Sequence, residues 1–249
     1  MKKDRAGKRF VAFIIAAAAI FGLTTLFAFA GLLQFNTPPR ALYPVRGVDI
    51  SSYQGDIDWD VLSRQGISFA FIKATEGSSF VDEFFDANFQ GALETDLRVG
   101  AYHFFSFDSP GMTQADNYIA NVPKAADALP PVVDLEFYAD KWQNPPDPDG
   151  TRKELDALLG RLEAHYGVKP IIYATEKSYN LYLAGHYEAY DIWIRSILTA
   201  PKPLKNQAWT FWQYTNKGRL DGYEGTEYYI DMNVFNGTFD EFYNYARQA

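Results

Sequence analysis

Pro130-Pro131-Val132-Val133-Asp134-Leu135-Glu136 is an apolar run that ends on two carboxylates separated by one leucine. The prolines bound it, the valines favour extended backbone, and residues i and i+2 of a strand share a face. Asp134 and Glu136 are therefore expected on one face, their Cα atoms roughly 6.5–7 Å apart, with Leu135 packed the other way. Two acids on one face at the end of a buried strand repel each other and are desolvated. That raises at least one pKa and prepares a carboxylic acid to donate a proton near neutral pH. An ordinary strand end reaching water is the plainer reading of this stretch taken alone.

Working outward, seven further strands can be marked at 45–50, 69–74, 99–105, 170–174, 192–196, 209–214 and 228–234. Several are continuous apolar runs, as parallel strands buried on both faces require. Helical spacing lies between the early ones. Leu155, Leu158, Leu159, Leu162 and Tyr166 recur over 151–166 before Gly167, and Phe85, Phe89 and Leu93 recur over 82–96. Weaker helical patterns occupy 58–65, 113–121 and 176–183, and after the sixth strand helices are not expected. Five strand–helix units followed by three strands predict an α/β fold, an irregular TIM-like barrel.

Other strands also carry acids. Asp49 lies near the end of the first strand and Asp231 sits inside the apolar run of the eighth, strands that neighbour each other in a closed barrel. Four carboxylates over one mouth is the arrangement expected of a catalytic barrel face. Plainer roles are a cap on the Ser51-Ser52 turn for Asp49 and an ion pair with Arg195 or Arg219 for Asp231. Lys73 and Glu76 close the second strand, His103 lies in the third, Tyr173 ends the fifth, and Trp212-Gln213 ends the seventh. A lone histidine in an aromatic strand is more often a satisfied core residue than a catalyst, and Tyr173 and Trp212 also suit a plain core.

The chain has 249 residues, no cysteine and a formal charge of −8. The missing cysteines exclude disulfides, thiolate metal sites and cysteine nucleophiles. The acidity argues against nucleic acid as a partner. The charge is divided: residues 1–9 carry a net +4, so the remaining 240 carry −12. Residues 10–33 hold no charge and, as a helix, would span roughly 36 Å, enough for a bilayer core. Two readings stand for this segment. One is a transmembrane signal anchor that places the barrel in the periplasm or outside the cell. The other is a signal peptide cleaved near Ala30 and a secreted barrel. Residues 34–44, with three prolines, read as a short stiff tether, and 45–249 as the folded domain.

Seven motifs occur in order: Gly47-Val48-Asp49-Ile50-Ser51, Phe71-Ile72-Lys73-Ala74-Thr75-Glu76-Gly77, Gly100-Ala101-Tyr102-His103-Phe104, Val132-Val133-Asp134-Leu135-Glu136, Ile172-Tyr173, Trp212-Gln213-Tyr214 and Ile230-Asp231-Met232-Asn233. From about Val45 to Phe239 the chain resembles the glycoside hydrolase family 25 lysozymes, the Chalaropsis-type N-acetylmuramidases. The resemblance implies hydrolysis of the β-1,4 bond between N-acetylmuramic acid and N-acetylglucosamine in peptidoglycan. By motif, Glu136 is the general acid, and Asp134 stabilises positive charge or orients the 2-acetamido group. Asp49 and Asp231 line the catalytic site. Lys73, Glu76, His103, Tyr173, Trp212 and Gln213 are carried over as substrate-binding candidates. No metal or organic cofactor is implied, and a monomer is expected. Trp193-Ile194-Arg195-Ser196 departs from many relatives by placing Arg195 where a small residue is usual; Arg195 either reaches the cleft or pairs with an acid. Two other classes compete: a peptidoglycan-binding barrel without catalysis, and a hydrolase whose acids hold a divalent metal.

Overall fold

The computed structural model describes residues 2–29, 36–202, 205 and 207–247. Two compact units are present, residues 1–37 and residues 38–249. In the first, Lys2–Phe29 form a helix, α1. The transmembrane anchor expected over 10–33 is not upheld: among the described residues no helix is long and apolar enough to cross a membrane. The helix opens on six charged residues within 2–9, and 30–33, the end of the expected span, lie outside the described residues.

Among its described residues the second unit has nine strands: β1 (Arg46–Ile50), β2 (Phe69–Glu76), β3 (Phe80–Val81), β4 (Arg98–Phe104), β5 (Val132–Leu135), β6 (Ile171–Thr175), β7 (Ile192–Arg195), β8 (Phe211–Gly218) and β9 (Ile230–Phe235). Eight of them close a ring in the order β1-β2-β4-β5-β6-β7-β8-β9, because β1 pairs with both β2 and β9. The pairs from β1 through β8 are parallel, whereas β9 runs antiparallel to both its neighbours. The two-residue β3 is a hairpin appended to β2 and had no counterpart among the expected strands. All eight expected strands are present, within two residues at their starts and up to four at their ends.

Two apolar layers follow from strand alternation. Phe69, Phe71, Val132, Ile171, Tyr173, Trp193 and Phe211 fill the barrel interior. Phe71 stacks on Trp193 at 4.6 Å, and Phe69 meets Phe211 edge-on at 5.3 Å. The opposite faces, including Val48, Ile72, Val133, Leu135, Ile172 and Ile194, pack with the outer helices. Those helices are α2 (Trp59–Leu62), α3 (Phe85–Leu93), α4 (Gly111–Asn121), α5 (Pro148–Tyr166) and the single turn α6 (Glu176–Ser178), which continues as a π-helical turn over Tyr179–Leu183. α5 shows why its sequence forms a helix. The Asp147 side chain accepts from Gly150 N–H at the N-terminus, Pro148 occupies the first turn, and Gly167 stops the helix at φ 75°. A closing helix, α7 (Phe239–Asn244), breaks the expectation of no helix after the sixth strand. Thr238 and Glu241 form its capping box, a signal that the sequence carries. Within the stretch read as a tether, Tyr43 packs on Trp209 and Trp212 of the barrel.

The wide interior aromatics of β2 fit because glycines face them on both sides. Gly47 is the direct partner of Phe69, and Gly100 that of Phe71. A Cβ on Gly47 would sit 2.4 Å from the Phe69 ring, which is fully buried and has nowhere to go. Gly47→Ala is therefore expected to destabilise the barrel by about 1–3 kcal/mol through overpacking, read from urea unfolding.

Candidate active site

Above the aromatic layer the barrel interior turns polar and opens as a cleft of about 300 Å³. Asp49 of β1, Lys73 of β2, Tyr102 and Phe104 of β4, Asp134 and Glu136 at the end of β5, Tyr173 of β6, Arg195 of β7, Gln213 of β8 and Asp231 of β9 line it. Asp134 and Glu136 share this face while Leu135 is buried in the outer layer, as the i,i+2 spacing predicts. Asp231 reaches the same mouth by a different route. It stands at the start of β9, not the end of a parallel strand, and the antiparallel register puts it directly opposite Asp49. A larger cavity of about 550 Å³ beside Arg98, at the start of β4, contains none of these four acids.

One hydrogen-bond network fixes the cluster. The Gln213 side-chain amide donates to Asp49 Oδ1 at 3.1 Å and Oδ2 at 2.9 Å, and to Asp231 Oδ2 at 3.0 Å. Its carbonyl accepts from Tyr173 O–H at 3.0 Å. Asn233 Nδ2 donates to Asp49 Oδ2 at 2.7 Å and its oxygen accepts from Trp193 Nε1 at 2.8 Å. Asp49 thus accepts from two side-chain amides and does not cap the turn after β1; Ser51 does that, accepting from Tyr53 N–H. In contrast, Asp134 Oδ1 is buried and has no hydrogen-bond partner among the described residues.

Burial governs the protonation of the cluster. It pushes Asp49 up to about 6, against hydrogen bonds from Asn233 and Gln213 that favour the charged form. Burial, reinforced by Glu136, drives Asp134 well above the ordinary carboxylate range; burial, reinforced by Asp49, does the same to Asp231. Glu136 is also raised by burial, with the positive charges of Arg195 and Lys73 pulling it back. The site therefore retains protons at pH values where isolated carboxyls have lost them.

Three expected substrate-binding residues lie elsewhere. His103 points away from the cleft, between β4 and α4. Gln114 Oε1 already accepts from Ser106 N–H, so His103 Nε2–H donates to that same oxygen at 3.0 Å, and Nδ1 accepts from Thr75 O–H at 2.8 Å. Burial pushes the imidazole down to about 4, which keeps it neutral. Trp212 also belongs to the outer layer, its Nε1 donating to Ser196 O at 2.8 Å. The physical reason is parity: neighbours in a strand face opposite ways, so Tyr102 and Gln213 take the cleft positions. Glu76 is half-exposed and bonded to Lys73 Nζ at 2.8 Å, outside the cleft lining. The cleft also includes Tyr102, Trp193, Asn216 and Glu227, and Asn233 supports it, none of them named as site residues from sequence. Asn233 and Trp193 were within reach of the i,i+2 rule, two residues from Asp231 and Arg195. Among the described residues, no group of three or more His, Cys, Asp or Glu side chains is arranged to hold a metal ion.

A closed β/α barrel with acidic side chains converging at one mouth has the build of a barrel glycosidase. Residues 48–223 match Glycosyl hydrolases family 25, and the chain belongs to that family. The structure of a family 25 glycosyl hydrolase from Bacillus anthracis is 55% identical, with a TM-score of 0.81, over 85% of this chain and 97% of that one. A bacterial lysozyme from Streptomyces coelicolor is 31% identical with a TM-score of 0.71, covering 80% of this chain and 95% of that one. Lysozyme M1 of Streptomyces globisporus is 32% identical over 228 residues, which cover 84% of this chain and 74% of the relative.

Two outcomes test this arrangement. The folded-state pKa of Asp134 lies above its unfolded value, so the protein loses stability as pH rises from the ordinary carboxylate range through the raised value. Asp134→Asn removes that cost: its Tm should exceed that of the wild type by a few degrees at pH 7–8, the difference vanishing toward pH 4. His103→Ala should lower unfolding stability by about 1–3 kcal/mol, because it strands buried partners, while kcat of the folded fraction stays unchanged.

Proposed function

We propose that this barrel is a peptidoglycan hydrolase that cleaves the β-1,4 bond between N-acetylmuramic acid and N-acetylglucosamine. The observation that carries the reading is the pairing at the end of β5: a half-buried Glu136 beside an Asp134 whose Oδ1 is buried and unpartnered. Glu136 acts as general acid, delivering its proton to the glycosidic oxygen as the bond breaks. Asp134 Oδ1 accepts the N–H of the substrate's 2-acetamido group. That hydrogen bond favours ionised Asp134 and leaves the shared proton on Glu136. The acetamido oxygen is then held for attack on the anomeric carbon, a substrate-assisted route. The carboxyl oxygens of Asp49 and Asp231, held by Gln213 and Asn233, face the developing positive charge. Lysozymes among the relatives support the substrate class.

Peptidoglycan lies outside the cytoplasm. The basic-then-apolar order of residues 1–33 supports export of the barrel. Every residue of the proposed machinery comes from one chain.

Turbidity loss and reducing-end analysis on purified peptidoglycan test the reading. Glu136→Gln should slow cleavage by about 100- to 10,000-fold, and the wild type should release fragments ending in N-acetylmuramic acid. Equal rates for the two proteins would overturn the acid assignment, and fragments ending in N-acetylglucosamine the bond assignment. Binding without cleavage by the wild type would instead favour a peptidoglycan-binding barrel.

A further inference from the structure

The cleft is lined by five acidic side chains, Asp49, Asp134, Glu136, Glu227 and Asp231, and by two cations, Lys73 and Arg195. The cations differ in how they are used. Lys73 is committed to Glu76 at 2.8 Å and lies over the Phe80 and Phe104 rings. Arg195 ends β7, in register with Thr175 of β6 and Gln213 of β8. It is partly buried, yet among the described residues it makes no hydrogen bond and no ion pair. Its charge acts on Asp49, Asp134, Glu136 and Asp231 only through space.

A guanidinium carries five N–H donors in a planar fork that matches a carboxylate in two-point contact. Compensating distant acids does not need that geometry; any compact cation would serve. A free fork at the mouth of an otherwise acidic cleft is therefore suited to an anionic group on the incoming ligand. On a glycan strand stripped of its stem peptides, the ionised group of the sugar is the lactyl carboxylate of N-acetylmuramic acid. On a strand that keeps its peptides, the same carbon is an amide and carries no charge. Without a cation at the point of contact, whichever of the five acids are ionised would repel the bare strand.

Resting on the muramidase reading, we propose that Arg195 is a specificity-determining residue that binds the free lactyl carboxylate and directs the enzyme to peptide-stripped glycan strands. The test is steady-state kinetics of the full chain on two soluble substrates: stripped strands, and the same strands with their lactyl carboxylates converted to methylamides. The wild type should show the lower KM on the charged strands. Arg195→Gln should raise that KM by about 10- to 100-fold, with a much smaller change of KM on the methylamide, while any shift of the pH profile is shared by both substrates. Arg195→Lys should recover part of the loss. It keeps the charge without the fork, and its activity on the methylamide confirms an intact site. If Arg195→Gln raises KM equally on both substrates, Arg195 acts only through the field of the cleft carboxyls and the proposal fails. Equal KM values for the two substrates in the wild type also overturn it. A wild-type protein that cleaves neither strand overturns the muramidase reading itself, an outcome distinct from loss of preference alone.

Discussion

The site depends on one side-chain amide. Gln213 lies where β8 meets β9, and its N–H groups reach both Asp49 and Asp231, the two acids that face each other across the β1–β9 seam. That seam is where the barrel closes, through a strand running against the other seven of the ring. A parallel strand there would bring its C-terminal end, not its start, to the mouth, and Asp231 would lie at the far side of the barrel. Closure and catalysis are therefore one constraint: the reversal of β9 seals the sheet and completes the acid cluster. Asn233, two residues further along the same face, adds the second amide that holds Asp49.

The cluster is expensive. Four carboxyls are raised by burial, and one oxygen of Asp134 has no hydrogen-bond partner among the described residues. Unpaired buried polar atoms are rare in folded proteins because nothing replaces the water they lose. Rigid packing beneath supports the strain: Phe71, Trp193 and Tyr173 form a close aromatic floor, their ring centres 4.6 Å apart in each neighbouring pair. The floor also carries polar handles. Trp193 N–H and Tyr173 O–H orient Asn233 and Gln213, which in turn orient the acids. The network thus runs from the hydrophobic core to Asp49 and Asp231 without a break.

Much of this was legible in the amino-acid order. Strand positions follow from short β-branched and aromatic runs between turn residues, and the shared face of Asp134 and Glu136 follows from the two-residue repeat. Which face of a doubly buried strand looks inward does not follow, because both faces are apolar. Tyr102 and His103 are equally plausible cleft residues by composition, as are Trp212 and Gln213; only the closed sheet decides between them. The reversal of β9 was not legible either, so the route by which Asp231 reaches the mouth emerged only from the register. Arg195 stood out as a departure from the family pattern, and its lack of a partner became visible in three dimensions.

The central claim is that burial within the closed barrel, not any single neighbour, makes these acids hold protons above the ordinary carboxylate range. Carbon-13 NMR titration of the Asp and Glu side-chain carboxyls of the intact protein tests it most directly. The account predicts that Asp49, Asp134, Glu136 and Asp231 titrate above the surface carboxyls in coupled steps. Four site carboxyls titrating together with the surface set, near the ordinary range, would contradict it.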